Sequence, residues 1–173
     1  EKWGALVESF AQPDQVPAIG LGGTPDGLYG SIGAAAVLDD GRVAVAPVDR
    51  RRGQKWLVAE AARIQSAQQC AVVVAKRGPL AYLIPDLIEA GVEVTEADAA
   101  EWVDACEGLW RLVEDAALVH PGDKGLTESV LAAPWRTVGD RRAFGRKGGD
   151  ISLLEAVALA ASRVDAQSSF NVW

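Results

Sequence analysis

The strongest chemical feature of the sequence is an acid that follows a run of basic side chains. Asp150 comes after a polar, glycine-rich stretch that carries four nearby cations: Arg141, Arg142, Arg146 and Lys147. A carboxylate can bind a divalent cation, and basic groups bind phosphate oxygens. Asp150 also precedes an apolar segment with helical periodicity, a position in which Asp caps a helix. The position therefore favours a helix cap and leaves a metal ligand open as a compatible second role.

A glycine-rich stretch is a weaker candidate site. Residues 20–23 read Gly-Leu-Gly-Gly, and such a loop can bring backbone N–H groups close to a phosphate. A phosphate-binding loop is followed directly by a helix, whereas this stretch continues through Thr24 and Pro25 into another predicted strand. A nucleotide-binding enzyme is thus only a minor alternative. His120 has no Ser or Cys nucleophile setting around it, which favours a structural role.

Composition limits the class of protein. The 173 residues are 49% hydrophobic, enough for one domain with a sizeable core. No long apolar run or signal-peptide pattern is present, which predicts a soluble intracellular protein. Cys70 and Cys106 are expected to be free core thiols. Since the chain contains no methionine, we expect it to be a piece of a longer protein.

The charge is acidic overall but unevenly distributed. A formal net charge of −7 argues against a protein that coats nucleic acid by charge alone. The cations are concentrated in the run before Asp150 and in a second run at residues 50–55. Either run is compatible with a solvated loop or with an anion-binding surface.

Periodicity indicates the elements that must position these side chains. Hydrophobic runs predict strands over 16–21, 31–38 and 42–48, the last two joined by an Asp40-Gly41 hairpin. Alternating helices and strands follow, with helices over 54–67, 80–90, 97–117, 126–133 and 151–164 and strands over 70–74 and 92–95. Residues 135–149 are predicted to form a hairpin. This order is that of an α/β ribonuclease-H-like fold with a mixed central sheet, in which three antiparallel strands precede alternating helices and strands.

Four segments, taken in order, resemble the C-terminal nuclease domain of the large terminase subunit of tailed phages, particularly phages of actinobacterial hosts. They are AIGLGGTPDG, AVVVAKRGPLAYLIPDLIEAGVEVTE, LVHPGDKGL and GRKGGDISLLEAVALAA. The resemblance implies that residues 1–15 are a short helix or linker from a missing N-terminal ATPase domain. It further implies a nuclease domain over 16–165 and a C-terminal tail over 166–173.

The resemblance also implies a metal site and shows two departures from it. The family holds two Mg²⁺ or Mn²⁺ ions with three acids, of which Asp150 matches the third. The positions of the first two acids carry Gly22 and Ala75 here, and Asp26 lies in a turn where it partly substitutes. Asp150 and Asp26 are the expected catalytic and metal-binding residues, with weak metal binding. Arg141, Arg142, Arg146 and Lys147 are the expected DNA contacts.

The function implied is a metal-dependent endonuclease domain that cuts concatemeric double-stranded viral DNA during packaging, impaired here by the two missing acids. The implied partners are double-stranded DNA, the ATPase domain of the same chain, the small terminase subunit and the portal protein. Its place would be the host cytoplasm, on the procapsid portal. The alternative is a non-catalytic interaction module on the same scaffold that docks to the portal or the ATPase domain.

Overall fold

A six-stranded mixed sheet lies between two layers of helices in the computed structural model, which describes residues 2–10 and 15–170. The strands of this sheet are β1 (Ala18–Gly23), β2 (Tyr29–Val37), β3 (Val43–Arg52), β4 (Ala71–Ala75), β5 (Val94–Ala97) and β6 (Leu118–Val119). Their order is β5-β4-β1-β2-β3-β6. The β1–β2 and β2–β3 pairs are antiparallel, and the β1–β4, β4–β5 and β3–β6 pairs are parallel.

The five α-helices in the described part of the chain lie on the two faces of the sheet. They are α1 (Trp56–Gln68), α2 (Ile84–Glu89), α3 (Ala99–Glu114), α4 (Lys124–Ala132) and α5 (Ser152–Phe170). One buried apolar cluster joins α1 and α2 to the sheet, and a larger one joins α3, α4 and α5 to its other face. A separate hairpin, β7 (Trp135–Val138) with β8 (Arg141–Phe144), packs on α3.

Local sequence signals explain where these elements begin and end. Gly41 turns the chain between β2 and β3 with φ +90°, a conformation that favours glycine. Asp98 caps α3 through a capping box with Glu101, which satisfies two backbone N–H groups at the helix start. Asp123 caps α4 by accepting a hydrogen bond from the Leu126 amide.

Helix α5 lies unusually close to the sheet because glycines face it. An ideal Cβ built on Gly20 would lie 2.0 Å from the Ala156 carbonyl oxygen, and one on Gly22 would lie 2.0 Å from that of Ser152. On β2, a Cβ on Gly33 would lie 2.7 Å from the Val157 side chain. These glycines therefore let the helix backbone rest on β1 and β2, and α5 contacts both strands extensively.

The predicted fold class is confirmed, with local corrections. The stretch 20–23 is not a loop but part of β1. The predicted helix over 80–90 begins as a short 3-10 turn, Ala81–Leu83, and α5 continues to Phe170, past the predicted end at 164. The strand β6 was not predicted.

The N-terminal segment packs on the domain instead of forming a longer helix. A 3-10 turn, Gly4–Leu6, is the helical element in its described residues, and Trp3 is buried. Residues 11–14 and 171–173 of the predicted linker and tail lie outside the described residues. In the part of the chain that the structure describes, no helix is both long and apolar enough to cross a membrane.

Candidate functional site

The ends of β1 and β4 and the first turns of α5 meet around one buried carboxylate. Glu155 is 1% exposed, and its Oε1 atom accepts a hydrogen bond of 2.9 Å from the Gly23 amide of β1. A Cβ on Gly78 would lie 3.3 Å from Glu155 Oε2 and 2.9 Å from the Ala75 Cβ. The carboxylate therefore reaches the turn that follows β4, where the sequence resemblance placed one of the missing acids.

Arg146 is the counter-charge of this carboxylate. Its Nη2 group donates a hydrogen bond to Glu155 Oε2, and the guanidinium carbon lies 4.6 Å from the centre of the Trp102 ring. Burial raises the pKa of Glu155, while Arg146 and the Gly23 amide oppose the rise. The pair is largely shielded from water, since the Arg146 side chain is only 17% exposed.

A second arginine binds Asp150. Its Oδ2 atom accepts hydrogen bonds from Nε of Arg50 at 2.8 Å and from Nη2 of the same side chain. Oδ1 accepts from the Ser152 amide at 2.8 Å, so the carboxylate does satisfy the start of α5, as the cap interpretation predicted. Burial would raise the pKa of Asp150, but hydrogen bonds from Ser152 and Arg50 hold it below its usual value.

Asp26 lies in the turn between β1 and β2 and stabilises that turn. Its Oδ1 atom accepts a hydrogen bond of 3.0 Å from the Leu28 amide, which lowers the pKa of the exposed carboxyl. Among the described residues, Asp26 and Asp150 do not belong to any group of three or more potential metal ligands. The structure thus gives Asp26 a local structural role and leaves its metal-binding role a prediction.

Gly22 and Ala75, at the positions of the missing acids, lie near the ends of β1 and β4. The Ser152 carbonyl of α5 stands where the side chain of residue 22 would begin. Ala75 is buried at the end of β4, near Gly78. An acid at position 22 would therefore fit only if α5 moved away from β1.

The four predicted DNA contacts have different partners in the structure. Arg141 pairs with Asp104 at 2.7 Å and with Glu107 at 3.0 Å on α3. The Arg142 guanidinium stacks on Trp135, 4.2 Å from the ring centre, and Lys147 is exposed. Arg146 differs from these because it points into the domain toward Glu155.

No protein-family model matches the sequence, and no curated protein matches it. Solved structures do match. The large terminase of bacteriophage HK97 superposes with a TM-score of 0.73 at 14% identity, covering 94% of this chain and 42% of that one. The large-terminase nuclease of thermophilic phage G20c gives 0.67 at 19% identity, over 94% of this chain and 96% of that one. This chain has the fold of phage large-terminase nuclease domains. That fold is ribonuclease-H-like.

The nuclease domain of bacteriophage SPP1, solved with bound Mn, has the same fold at a TM-score of 0.55 and 14% identity, over 91% of this chain and 94% of that one. The G20c nuclease has been solved with cobalt, magnesium or zinc. These metals were observed in those proteins. Whether this chain could bind such ions depends on the side chains that it has at the site.

The residues present do not fit a two-metal site. In the described parts of the chain, no three His, Cys, Asp or Glu side chains lie close enough together to bind a metal ion. The two carboxylates at the start of α5, those of Asp150 and Glu155, each bind an arginine. A divalent ion at either carboxylate would compete with the charge of a bound guanidinium. This corner of the fold has two arginine–carboxylate pairs, Arg50 with Asp150 and Arg146 with Glu155.

His120 has the structural role that the sequence predicted. Its ring is buried and stacks on Trp3 with centroids 4.0 Å apart. The Nε2 atom of the ring lies 2.8 Å from the Trp3 carbonyl oxygen. The Nδ1 atom accepts a hydrogen bond from the Gly122 amide. Nδ1 as acceptor implies that Nε2 carries the proton of a neutral ring.

Sequence reasoning missed Glu155, Arg50 and Trp102. A usable signal did exist for Glu155, because it is the one charged residue in the apolar stretch 151–161. Charged residues in fully apolar segments are buried only with a partner. Arg50 was noted as part of a basic run, but nothing in the sequence pairs it with an acid a hundred positions away.

Proposed function

We propose that this chain is the nuclease-type domain of a phage large terminase subunit, one that binds double-stranded viral DNA during packaging and whose metal-dependent cleavage is impaired. The observation that carries the proposal is the shared fold, which extends over 94% of the chain at a TM-score of 0.73. At 14% identity the likeness concerns the fold, so the activity requires its own test.

DNA binding is proposed for the exposed cations near the β4 and α5 corner. Lys147 lies just before α5, and Lys76 and Arg77 follow β4, all of them exposed. Such side chains hold backbone phosphates without reading sequence, and their contribution weakens with salt. Sequence choice would then come from other parts of the packaging motor.

Impaired cleavage is proposed from the arginine–carboxylate pairs. A Mg²⁺ or Mn²⁺ site uses carboxylate oxygens and the substrate phosphate. Here Gly22 and Ala75 supply no side-chain oxygen, and the carboxylates of Asp150 and Glu155 are bound by Arg50 and Arg146. We therefore expect at most weak cleavage with either metal. The ATPase domain of the same chain, the small terminase subunit and the portal are the partners, in the host cytoplasm, that this function would involve.

Two measurements on the purified chain test the proposal. The first is fluorescence anisotropy of a labelled DNA duplex at several salt concentrations, comparing the chain with Lys147→Gln and with Arg63→Gln, which removes a charge from α1 on the opposite face of the sheet. Lys147→Gln should weaken binding and lower the salt slope by about one, while Arg63→Gln should change neither. Equal losses in both variants would point to bulk charge instead of this surface.

The second measurement is nicking of supercoiled plasmid with Mn²⁺ or Mg²⁺. We expect little or no cleavage by the chain while duplex binding is retained. Strong cleavage that Asp150→Asn abolishes would refute the impairment and restore the metal role of Asp150.

The arginine–carboxylate pairs also favour a second function, a non-catalytic module that docks to the portal or the ATPase domain. This alternative needs neither DNA binding nor metal binding. A folded chain that fails to bind duplex at low salt, and does not cleave plasmid, would make it the better assignment.

A further inference from the structure

Many cations of this chain are paired with acids, but several at one edge of the sheet are not. Arg42 binds Glu8 and Asp40, and Arg63 binds Glu60, as expected in a chain with 24 acidic and 17 basic side chains. At the edge where β1, β3 and β4 end, six exposed cations have no ion pair among the described residues. They are Arg52, Lys55, Lys76, Arg77, Arg136 and Lys147. An edge that keeps unpaired cations in an acidic chain attracts a polyanion.

Two of these cations belong to the basic run at residues 50–55, which the DNA contacts proposed above leave out. In that run, Arg50 binds Asp150 and Arg51 binds Asp49, so both charges are matched. Arg52, the last residue of β3, and Lys55, just before α1, remain. We call these two side chains the β3 group.

The other unpaired cations lie at the end of β4 and beside the start of α5. Lys76 and Arg77 follow β4 directly, and Arg77 lines the same small cavity as Arg136 of the β7–β8 hairpin. Lys76, Arg77 and Arg136 are therefore neighbours, and we call them the β4 group. Lys147 lies next in sequence to Arg146, which lines that cavity too.

The start of α5 lies between the two groups. Gly22 of β1 is opposite Ser31 of β2, and Ser31 is opposite Arg50 of β3. The Ser152 hydroxyl of α5 lies 2.7 Å from the Ser31 hydroxyl, so the helix begins over the middle of this row. Because β1 and β2 separate β4 from β3, the ends of β4 and β3 are about 14 Å apart, at 4.7–4.9 Å per strand. This separation is close to the width of the major groove of B-DNA, roughly 12 Å.

We propose that the β3 group and the β4 group bind the two phosphate backbones that flank one groove of a DNA duplex, with the start of α5 facing the groove between them. The inference rests on the proposed function, because it takes duplex DNA as the partner, and it adds a second backbone to the contacts at Lys147. Such contacts orient a protein on the duplex without reading its sequence. A single strand presents only one backbone, so its binding depends less on having both groups.

The test measures fluorescence anisotropy of a labelled duplex, and of one of its strands alone, at several salt concentrations. Arg52→Gln combined with Lys55→Gln neutralises the β3 group. Lys76→Gln combined with Arg77→Gln removes two of the three charges of the β4 group. All four side chains are exposed, so both double variants should fold, which thermal unfolding checks.

The matched control is Arg111→Gln combined with Arg163→Gln. These two cations are also exposed and have no ion pair among the described residues. Since α3 and α5 both begin at the edge in question, Arg111 and Arg163 lie roughly 16–18 Å along their helices from it. The control therefore removes the same net charge from another part of the surface.

We expect each edge variant to weaken duplex binding about tenfold or more and to lower the salt slope by about two, while the control changes neither. On the single strand, the loss in each edge variant should be several-fold smaller. Unchanged duplex binding in either edge variant would overturn this inference and leave the proposed DNA binding in place. Equal losses on duplex and single strand would mean that both groups follow one backbone, and an equal loss in the control would mean bulk charge. Either result would overturn the inference. A folded parent chain that binds no duplex would overturn the proposed function with it.

Discussion

At the scale of single residues, the Arg146–Glu155 pair is the feature that most distinguishes this site from a metal centre. A guanidinium beside a buried carboxylate supplies the positive charge that a divalent ion would otherwise supply. Because both groups are largely withdrawn from water, each depends on the other for compensation. This dependence can be measured as the change in the free energy of unfolding when one partner is replaced.

Replacing Arg146 with Met should destabilise the fold by about 3–5 kcal/mol, because it leaves a buried carboxylate without its counter-ion. The loss should grow as the pH rises. Without Arg146 the folded-state pKa of Glu155 lies further above its unfolded value, so stability present at low pH is lost as pH rises through that folded pKa. Urea unfolding at pH 5 and pH 8 measures both effects.

The control for this prediction is the double variant Arg146→Met with Glu155→Gln. Gln can still accept from the Gly23 amide but carries no charge, so the double variant should recover much of the stability and lose the pH dependence. Arg141→Gln, which breaks an exposed pair, should have little effect. Additive losses in the double variant would contradict the interpretation of a coupled pair.

A second residue-scale prediction concerns His120. Burial lowers the pKa of this ring below its usual 6.5, so the folded state binds the proton less readily than the unfolded state. Its contribution to stability is present above the unfolded pKa and is lost as the pH falls toward the folded-state pKa. Between pH 7.5 and pH 5, the melting temperature of His120→Gln should therefore fall less than that of the parent chain. Parallel curves would show that carboxylates alone determine the acid response.

At the scale of elements, the close approach of α5 to β1 limits which side chains position 22 can accommodate. Gly22→Ala and Gly22→Asp should each destabilise the protein by at least about 1–3 kcal/mol, because a Cβ at this position overlaps the Ser152 carbonyl. Gly108→Ala is the matched control. That glycine lies within α3 with no atom near its added Cβ, so alanine should stabilise by about 0.5–1 kcal/mol. Urea unfolding of the variants tests this, and a stable, fully folded Gly22→Asp would show that α5 moves readily.

The sequence predicts most elements because hydrophobic periodicity and turn residues are local signals. The Asp40-Gly41 hairpin and the apolar run of β4 are examples. The predicted strand over 16–21 stops before Gly22 and Gly23 because glycine indicates a turn when only its backbone freedom is considered. In β1 glycine is required because it has no side chain where α5 packs on the strand. This requirement depends on the packing of α5, which a local sequence signal does not contain. The two-residue β6 is too short to carry a periodic signal.

At the scale of the whole molecule, the topology follows from the order of elements, but the chemistry of the site does not. Glu155 and Arg146 are close in sequence, whereas the Gly23 amide and Trp102 come from distant segments. Only the folded sheet brings these groups together. The resemblance assigned two missing acids to positions 22 and 75, but nothing in the sequence shows that Arg50 and Arg146 bind the carboxylates of Asp150 and Glu155.

The arginine–carboxylate pairs determine how the chain should respond to metal. Because no described group of three ligands exists and both nearby carboxylates are bound by arginine, Mn²⁺ at millimolar concentration should leave the melting temperature unchanged at fixed ionic strength. Arg50→Gln frees Asp150 without disturbing its bond to the Ser152 amide, and this variant should gain some stabilisation by Mn²⁺. Asp150→Asn added to Arg50→Gln should abolish that gain. A saturable rise in the parent chain that Asp150→Asn removes would instead mean that the metal displaces Arg50, and that the site still binds its ion.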